Sequence, residues 1–234
     1  MFDITFNGHT AREILVAVAR RPSVPAPQPR GEWVGIGGRD GSFLVEDGTY
    51  ENIEIEVELN FCCPRDKVGI QYRRVKNWLH GAGELSFSDD SDVFYKVKQC
   101  AVTDFARRAK QGADLVATFA CDPFAYHDTG RYEYPVADVQ FNPGFKCYPV
   151  YHIAGTSSGG TLSVNGNSVN FDADIHGGIY IDTEKMFCYD AYGANLNRKV
   201  TGDIGKLYLV PGVNSITPPA SPYVTTVTPN WRSL

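Results

Sequence analysis

Gly38-Arg39-Asp40-Gly41-Ser42-Phe43-Leu44-Val45-Glu46-Asp47-Gly48-Thr49-Tyr50 runs directly into Glu51-Asn52-Ile53-Glu54-Ile55-Glu56-Val57-Glu58-Leu59-Asn60. The first part places Asp40-Gly41 and Asp47-Gly48 on either side of the short run Phe43, Leu44, Val45. Such pairs mark tight turns that need left-handed backbone conformations. In the second part Ile53, Ile55, Val57, Leu59 and Phe61 alternate with Glu54, Glu56, Glu58 and Asn60. A period of two belongs to a half-buried β-strand and to no helix. One face of this strand is apolar, and the other carries three carboxylates in a row.

Near the start of the chain Phe2, Ile4 and Phe6 alternate and stop at Asn7-Gly8, which predicts an opening strand and turn. Glu13–Arg20 is compatible with a helix or a buried strand. Pro22, Pro25, Pro27 and Pro29 then enforce an extended segment that cannot sit in a ladder; such an arm either crosses a surface or a neighbouring subunit, or is a plain loop. After Pro64, the residues Val68, Tyr72, Val75, Trp78 and Leu79 recur at spacings of three and four, a helix stopped by Gly81. Strands follow at Phe94–Val102 and Leu115–Cys121, joined by the basic stretch Asp104–Gly112. Lys96 and Lys98 would oppose Glu54, Glu56 and Glu58 if those two strands paired, each charge pair contributing about 0.2–1 kcal/mol.

From Asp122 to Gly144, Pro123, Pro135 and Pro143 accompany a loss of alternation, so this stretch reads as a connector. The charge distribution changes there as well: residues 1–135 hold 16 basic and 20 acidic groups, residues 136–234 only 6 and 7. Two domains are expected, 1–135 and 136–234. In the second, Thr161–Val164 and Ser168–Phe171 flank Asn165-Gly166, a strong hairpin signal. Further strands are predicted at Ile179–Asp182, Lys206–Val210 and Tyr223–Val227, with Pro211-Gly212 as a turn. Short strands at near-regular spacing predict a sandwich or jelly roll.

Twenty-two basic against 27 acidic residues leave a net charge of −5, so nothing suggests a surface built to grip nucleic acid. The six cysteines, Cys62, Cys63, Cys100, Cys121, Cys147 and Cys188, form no zinc pattern, and the adjacent pair suits no disulfide framework. With no secretory signal in the sequence, free and mostly buried thiols are expected. No apolar run approaches the roughly 18 residues needed to span a membrane.

Several motifs invite chemistry. Gly155-Thr156-Ser157-Ser158-Gly159, followed by Asp172 or Asp174 and then His176, has the chain order of a hydrolase triad. A nucleophile elbow needs a strand, a sharp turn and then a helix, whereas Gly160 leads toward a hairpin. Gly35-Ile36-Gly37-Gly38 lacks the third glycine and the helix of a dinucleotide fingerprint. Asp89, Asp90 and Asp92 lack the glycine and distal glutamate of a calcium loop. Tyr148, Tyr151, Tyr180, Tyr189 and Tyr192 suit either a sandwich core and interface or a sugar-stacking surface. No catalytic, cofactor-binding or metal-binding residue is assigned, and no cofactor is expected.

The double Asp-Gly stretch and its alternating strand resemble the distal tail proteins of long-tailed bacteriophages. So do, in the family's order, Arg73-Arg74-Val75-Lys76-Asn77-Trp78-Leu79, Leu85–Asp90, Phe94–Lys98, Thr118–Tyr126, Asn142-Pro143-Gly144, Leu162–Gly166, Ile179–Met186 and Trp231-Arg232-Ser233-Leu234. The resemblance, with the β-branched residues, favours a strand at Glu13–Arg20. It implies an all-β fold with one short helix: an N-terminal tail-tube-like domain and a C-terminal galectin-like β-sandwich or jelly roll. It further implies a non-enzymatic homohexameric ring that joins the tail tube protein to the tail-tip proteins. Such a ring would sit at the virion tail tip after assembly in the bacterial cytoplasm, without membrane insertion, and DNA would only transit its lumen. Glu54, Glu56 and Glu58 are candidates for an acidic lumen wall. The alternatives are a carbohydrate-binding protein, acting on host cell-wall glycans through the second domain, and a cell-wall hydrolase.

Overall fold

The computed structural model describes residues 2–103, 106–107, 112–155, 159–172, 177–220 and 222–234, with backbone alone for Ala106 and Arg107. The chain divides into two compact units, 1–125 together with Leu234, and Tyr126–Ser233.

In chain order the first unit contains β1 (Ile4–Phe6), β2 (His9–Thr10), β3 (Ala17–Val18), β4 (Pro29–Gly35), β5 (Ser42–Tyr50), β6 (Ile53–Cys62), α1 (Val68–Trp78), β7 (Gly83–Phe87), β8 (Asp90–Val102), β9 (Ala106–Arg107) and β10 (Gly112–His127), whose last two residues belong to the second unit. Its main sheet runs β2-β1-β7-β8-β10-β6-β3. As the alternation predicts, β6 buries Ile53, Ile55, Val57, Leu59 and Phe61 and turns Glu54 and Glu56 outward. It pairs antiparallel with β10 from Gly112↔Cys62 to Cys121↔Ile53. β10 therefore separates β6 from β8, and the expected opposition of Lys96 and Lys98 to the glutamate row does not occur. Lys98 instead pairs with Asp122 at 2.8 Å, and Glu58 with Arg20 at 2.7 Å.

The helix buries Val68, Gln71, Val75 and Trp78 in the core shared with Ile55, Val57, Leu59, Leu115, Ala117 and Phe119. Trp78 Nε1 donates to the Phe6 carbonyl at 3.1 Å, so its one polar atom is satisfied inside the core. Gly81, at φ +81°, supplies the left-handed backbone that follows the helix. Glu13–Arg20 is mostly turn. Ile14 N–H donates to Ala11 and Leu15 N–H to Arg12, and only Ala17 and Val18 join β6.

β4 and β5 form a separate two-stranded ribbon, paired Trp33↔Leu44, Val34↔Phe43 and Gly35↔Ser42. Asp40-Gly41 lies in its turn. Asp47-Gly48 does not reverse the chain as expected. It lies in a bulge of β5, where the register shifts between Pro29 and Gly31 and Gly48 adopts φ +79°. The Asp47 carboxylate accepts from the Thr49 N–H at 2.8 Å and from its hydroxyl, which locks the bulge.

The second unit contains β11 (Tyr134–Pro135), β12 (Phe141–Asn142), β13 (Val150–Ala154), β14 (Gly160–Val164), β15 (Asn167–Phe171), β16 (Ile179–Asp182), β17 (Phe187–Tyr189), β18 (Val200–Gly202), β19 (Gly212–Val213), β20 (Ile216–Thr217), β21 (Val224–Thr228) and β22 (Arg232–Ser233). A sheet in the order β11-β21-β13-β16-β17 and another in the order β18-β15-β14-β20 bury one common cluster. Tyr151, Ile153, Ile179, Ile181 and Val227 come from the first, and Leu162, Val164, Val169 and Phe171 from the second. This is a β-sandwich. Asn165 and Gly166, at φ +51° and +83°, make the expected hairpin turn.

The strand expected at Lys206–Val210 is absent. A 3-10 turn covers Ile204–Lys206, and only Leu209 bridges to Cys147. Side chains replace the ladder here: the Tyr151 hydroxyl donates to Leu207 O at 2.9 Å, and Asn214 binds both the N–H and the carbonyl of Val210. The units divide at Ala125/Tyr126, earlier than the expected 135/136. Tyr134, Val136 and Val139, which read as connector, pack into the sandwich core. Charge density follows the surface, whereas a boundary follows burial.

Candidate functional site

Three surfaces bear on what the described residues can bind. The first is the β4–β5 ribbon. Strand pairing places Glu32, Val34, Phe43 and Val45 on one face, and Trp33 and Leu44 on the other. Trp33 is 67% exposed and Val45 59%, with Val34, Ile36 and Phe43 also exposed. A ribbon normally buries one apolar face; this one buries neither within its own chain. Its base is anchored by Arg30, which donates to both carboxylate oxygens of Glu51 at 2.8 and 3.2 Å, and by the edge-on contact of Tyr50 with Phe124. The Arg30 hydrogen bond holds the Glu51 carboxyl below its ordinary range.

The second surface is the proline arm. Residues 21–28 lie in no ladder, as the sequence predicts, but Pro29, expected to lie outside one as well, opens β4 opposite Tyr50. At its start Arg20 pairs with Glu58 and Arg21 with Asp89, while Pro22 is buried and Val24 packs on the core. At its end Glu51 N–H donates to Gln28 O at 2.8 Å. The arm is thus fastened to its own unit at both ends. Between these points a cleft of about 380 Å³ opens against Val24, Pro25, Pro27, Ile53, Tyr95 and Leu234. A second cleft of about 390 Å³, which shares Pro25, is lined by Arg20, Arg21, Glu54 and Glu56.

The third surface is the outer face of the five-stranded sheet. Cross-strand register aligns His152, Tyr180 and Tyr189. Tyr180 lies parallel to His152 at 4.1 Å and to Tyr189 at 5.2 Å, and Phe187 stacks on Tyr189 at 5.7 Å. A pyranose stacks on an open ring face, and both faces of Tyr180 are taken by neighbouring rings. Tyr151 is core, and burial pushes its phenol well above the ordinary range. Tyr148 meets Tyr208 edge-on beside Lys146. Tyr192, 97% exposed, stands on a turn held by the Asp190 carboxylate. The five tyrosines therefore do not gather into one platform.

Of the hydrolase-like motif, Ser157, Asp174 and His176 lie outside the described residues, as does most of the Asp104–Gly112 stretch. Gly160, immediately beyond the motif, opens the strand β14 and not a helix. Gly37-Gly38 belong to the ribbon turn, Gly38 at φ +81°. Asp89 lies between β7 and β8 and pairs with Arg21. Among the described residues no group of three or more His, Cys, Asp or Glu side chains could hold a metal ion. No described helix is long and apolar enough to cross a membrane. All six cysteines carry free thiols, and burial pushes those of Cys100, Cys121, Cys147 and Cys188 up to about 12.

No family model matches the sequence, and no curated protein matches it. Among solved structures, the crystal structure of the SPP1 Dit (gp 19.1) protein, described as a paradigm of hub adsorption apparatus in Gram-positive infecting phages, matches with a TM-score of 0.66. The match covers 100% of both chains at 14% identity. At that identity the two proteins share a fold, and they share it along their whole length.

Proposed function

We propose that this chain is a structural component of a bacteriophage tail tip, of the distal tail protein type. It forms a homohexameric ring that joins the end of the tail tube to the tail-tip proteins that reach the host. The observation that carries the proposal is the β4–β5 ribbon, apolar on both faces and buried on neither. Exposed apolar surface of this kind marks an interaction site. The fold shared with a phage hub protein supplies its context. A ring needs two different surfaces on each copy that meet head to tail and close on themselves. The exposed ribbon is one of them.

The work of such a protein is interface formation, without catalysis or cofactor. It acts at the virion tail tip, is assembled in the bacterial cytoplasm, and inserts into no membrane; DNA only transits the lumen. The glutamate row is not a free wall for that lumen, because Glu58 is paired with Arg20 and the arm stands beside Glu54 and Glu56. Native mass spectrometry of the purified chain tests the proposal. Six copies of 25.8 kDa should give a species of about 155 kDa, alone or on addition of tube protein. A chain that stays monomeric with tube and tip proteins present, or that is trimeric in virions, would overturn it.

A further inference from the structure

The second surface that a head-to-tail contact requires must match the ribbon in size and charge. The clefts under the proline arm adjoin one another at Pro25, one apolar and one polar. In the polar cleft Arg20 is taken by Glu58 and Arg21 by Asp89, which leaves Glu54 and Glu56 without a cation among the described residues. The tip of the ribbon presents the complement: Ile36 and Phe43 are exposed, and Arg39 lies over the Phe43 ring at 4.6 Å. Strands of seven and nine residues give the ribbon a length on the order of 20 Å.

We infer that the β4–β5 ribbon of one copy seats on the cleft beneath the proline arm of the next copy, with Ile36 and Phe43 in the apolar part and Arg39 against Glu54 and Glu56. The inference rests on the ring reading and adds the partner and the place. Ribbon and cleft are different patches of one chain, so their contact is heterologous and can propagate around a ring. The arm is the fixed wall of the cleft rather than the crossing element, because Pro22 and Val24 are bound to their own core. A cleft of a few hundred Å³ suits an inserted side-chain cluster, and charge complementarity at its rim sets register and excludes wrong pairings.

A photo-crosslinking side chain in place of Ile36 tests this contact, with cross-linked peptides mapped by mass spectrometry in the assembled protein. Cross-links should join position 36 of one copy to peptides holding residues 24–27 or Ile53 of another. In parallel, Arg39→Glu, or Glu54→Lys with Glu56→Lys, should raise the concentration for half-assembly roughly tenfold or more. Combining the reversals should restore most of that loss. These positions are exposed, and unchanged thermal unfolding will confirm that the variants fold. A ring whose cross-links map elsewhere, or whose assembly ignores both reversals, overturns this contact and leaves the ring standing. A wild-type chain that never assembles overturns both.

Discussion

At the scale of single residues, two glycines separate backbone conformation from crowding. Gly166 sits at φ +83° with open space where a Cβ would stand, so Gly166→Ala should cost the sandwich about 1 kcal/mol from conformation alone. Gly202 sits at φ +126°, and a Cβ there would lie 2.6 Å from Ser168 O. Gly202→Ala should cost about 3 kcal/mol or more, because backbone on both strands must shift. Urea unfolding followed by a probe in the second unit measures both, and equal losses would refute the distinction. The thiols offer a second test. With pKa values raised to about 12, Cys100, Cys121, Cys147 and Cys188 hold roughly one thiolate in ten thousand at pH 8, and their reactivity rises only as the pH approaches 12. Native alkylation at pH 8 should modify the exposed Cys62 first, and denaturation should bring the total to six additions. Fewer than six would mean a disulfide.

At the scale of elements, the ribbon is the separable part. It forms its own sheet, and its apolar residues belong to neither core cluster. Replacing residues 31–48 by a short Gly-Ser turn should leave the unfolding of both units unchanged while abolishing assembly. Loss of folding in that variant would show that the ribbon supports the core. The helix is the opposite case: Trp78→Ala removes a buried ring together with its hydrogen bond to the Phe6 carbonyl, and should destabilise the first unit by about 3–5 kcal/mol. Calorimetry should then show a lowered transition for that unit alone.

At the scale of the whole molecule, the boundary decides where a protease can enter. Residues 126–144, which read as a connector, are tied into the sandwich: His127 N–H donates to Trp231 O, Asn230 N–H to Gly130 O, and Val139 is fully buried. Limited proteolysis of unassembled protein should cut the ribbon turn near Arg39 and spare 126–144. Early cleavage within 126–144 would contradict this division of the chain. In assembled protein the same turn should be protected, since it would be seated on a neighbour.

Period-two alternation was enough to place β6 and its buried face, Asn165-Gly166 to place the β14–β15 hairpin, three prolines to keep residues 21–28 out of any ladder, and Pro64 with Gly81 to bound the helix. Each of these is a local property, fixed by backbone sterics or by the face a residue must bury. The remaining features depend on long-range packing. Alternation states which face of β6 is covered but not which strand lies beside it, so the Lys96–Glu56 pairing was open until β10 filled the place between them. In the Lys206–Val210 stretch Tyr151 holds the Leu207 carbonyl and Cys147 pairs with Leu209, partners distant in sequence that no local pattern displays, while Asn214 holds Val210 from four residues away. The ribbon's candidacy has the same origin: Trp33, Val34, Phe43 and Val45 read as ordinary strand residues. Their meaning comes from an absence of cover, a property of everything else in the fold.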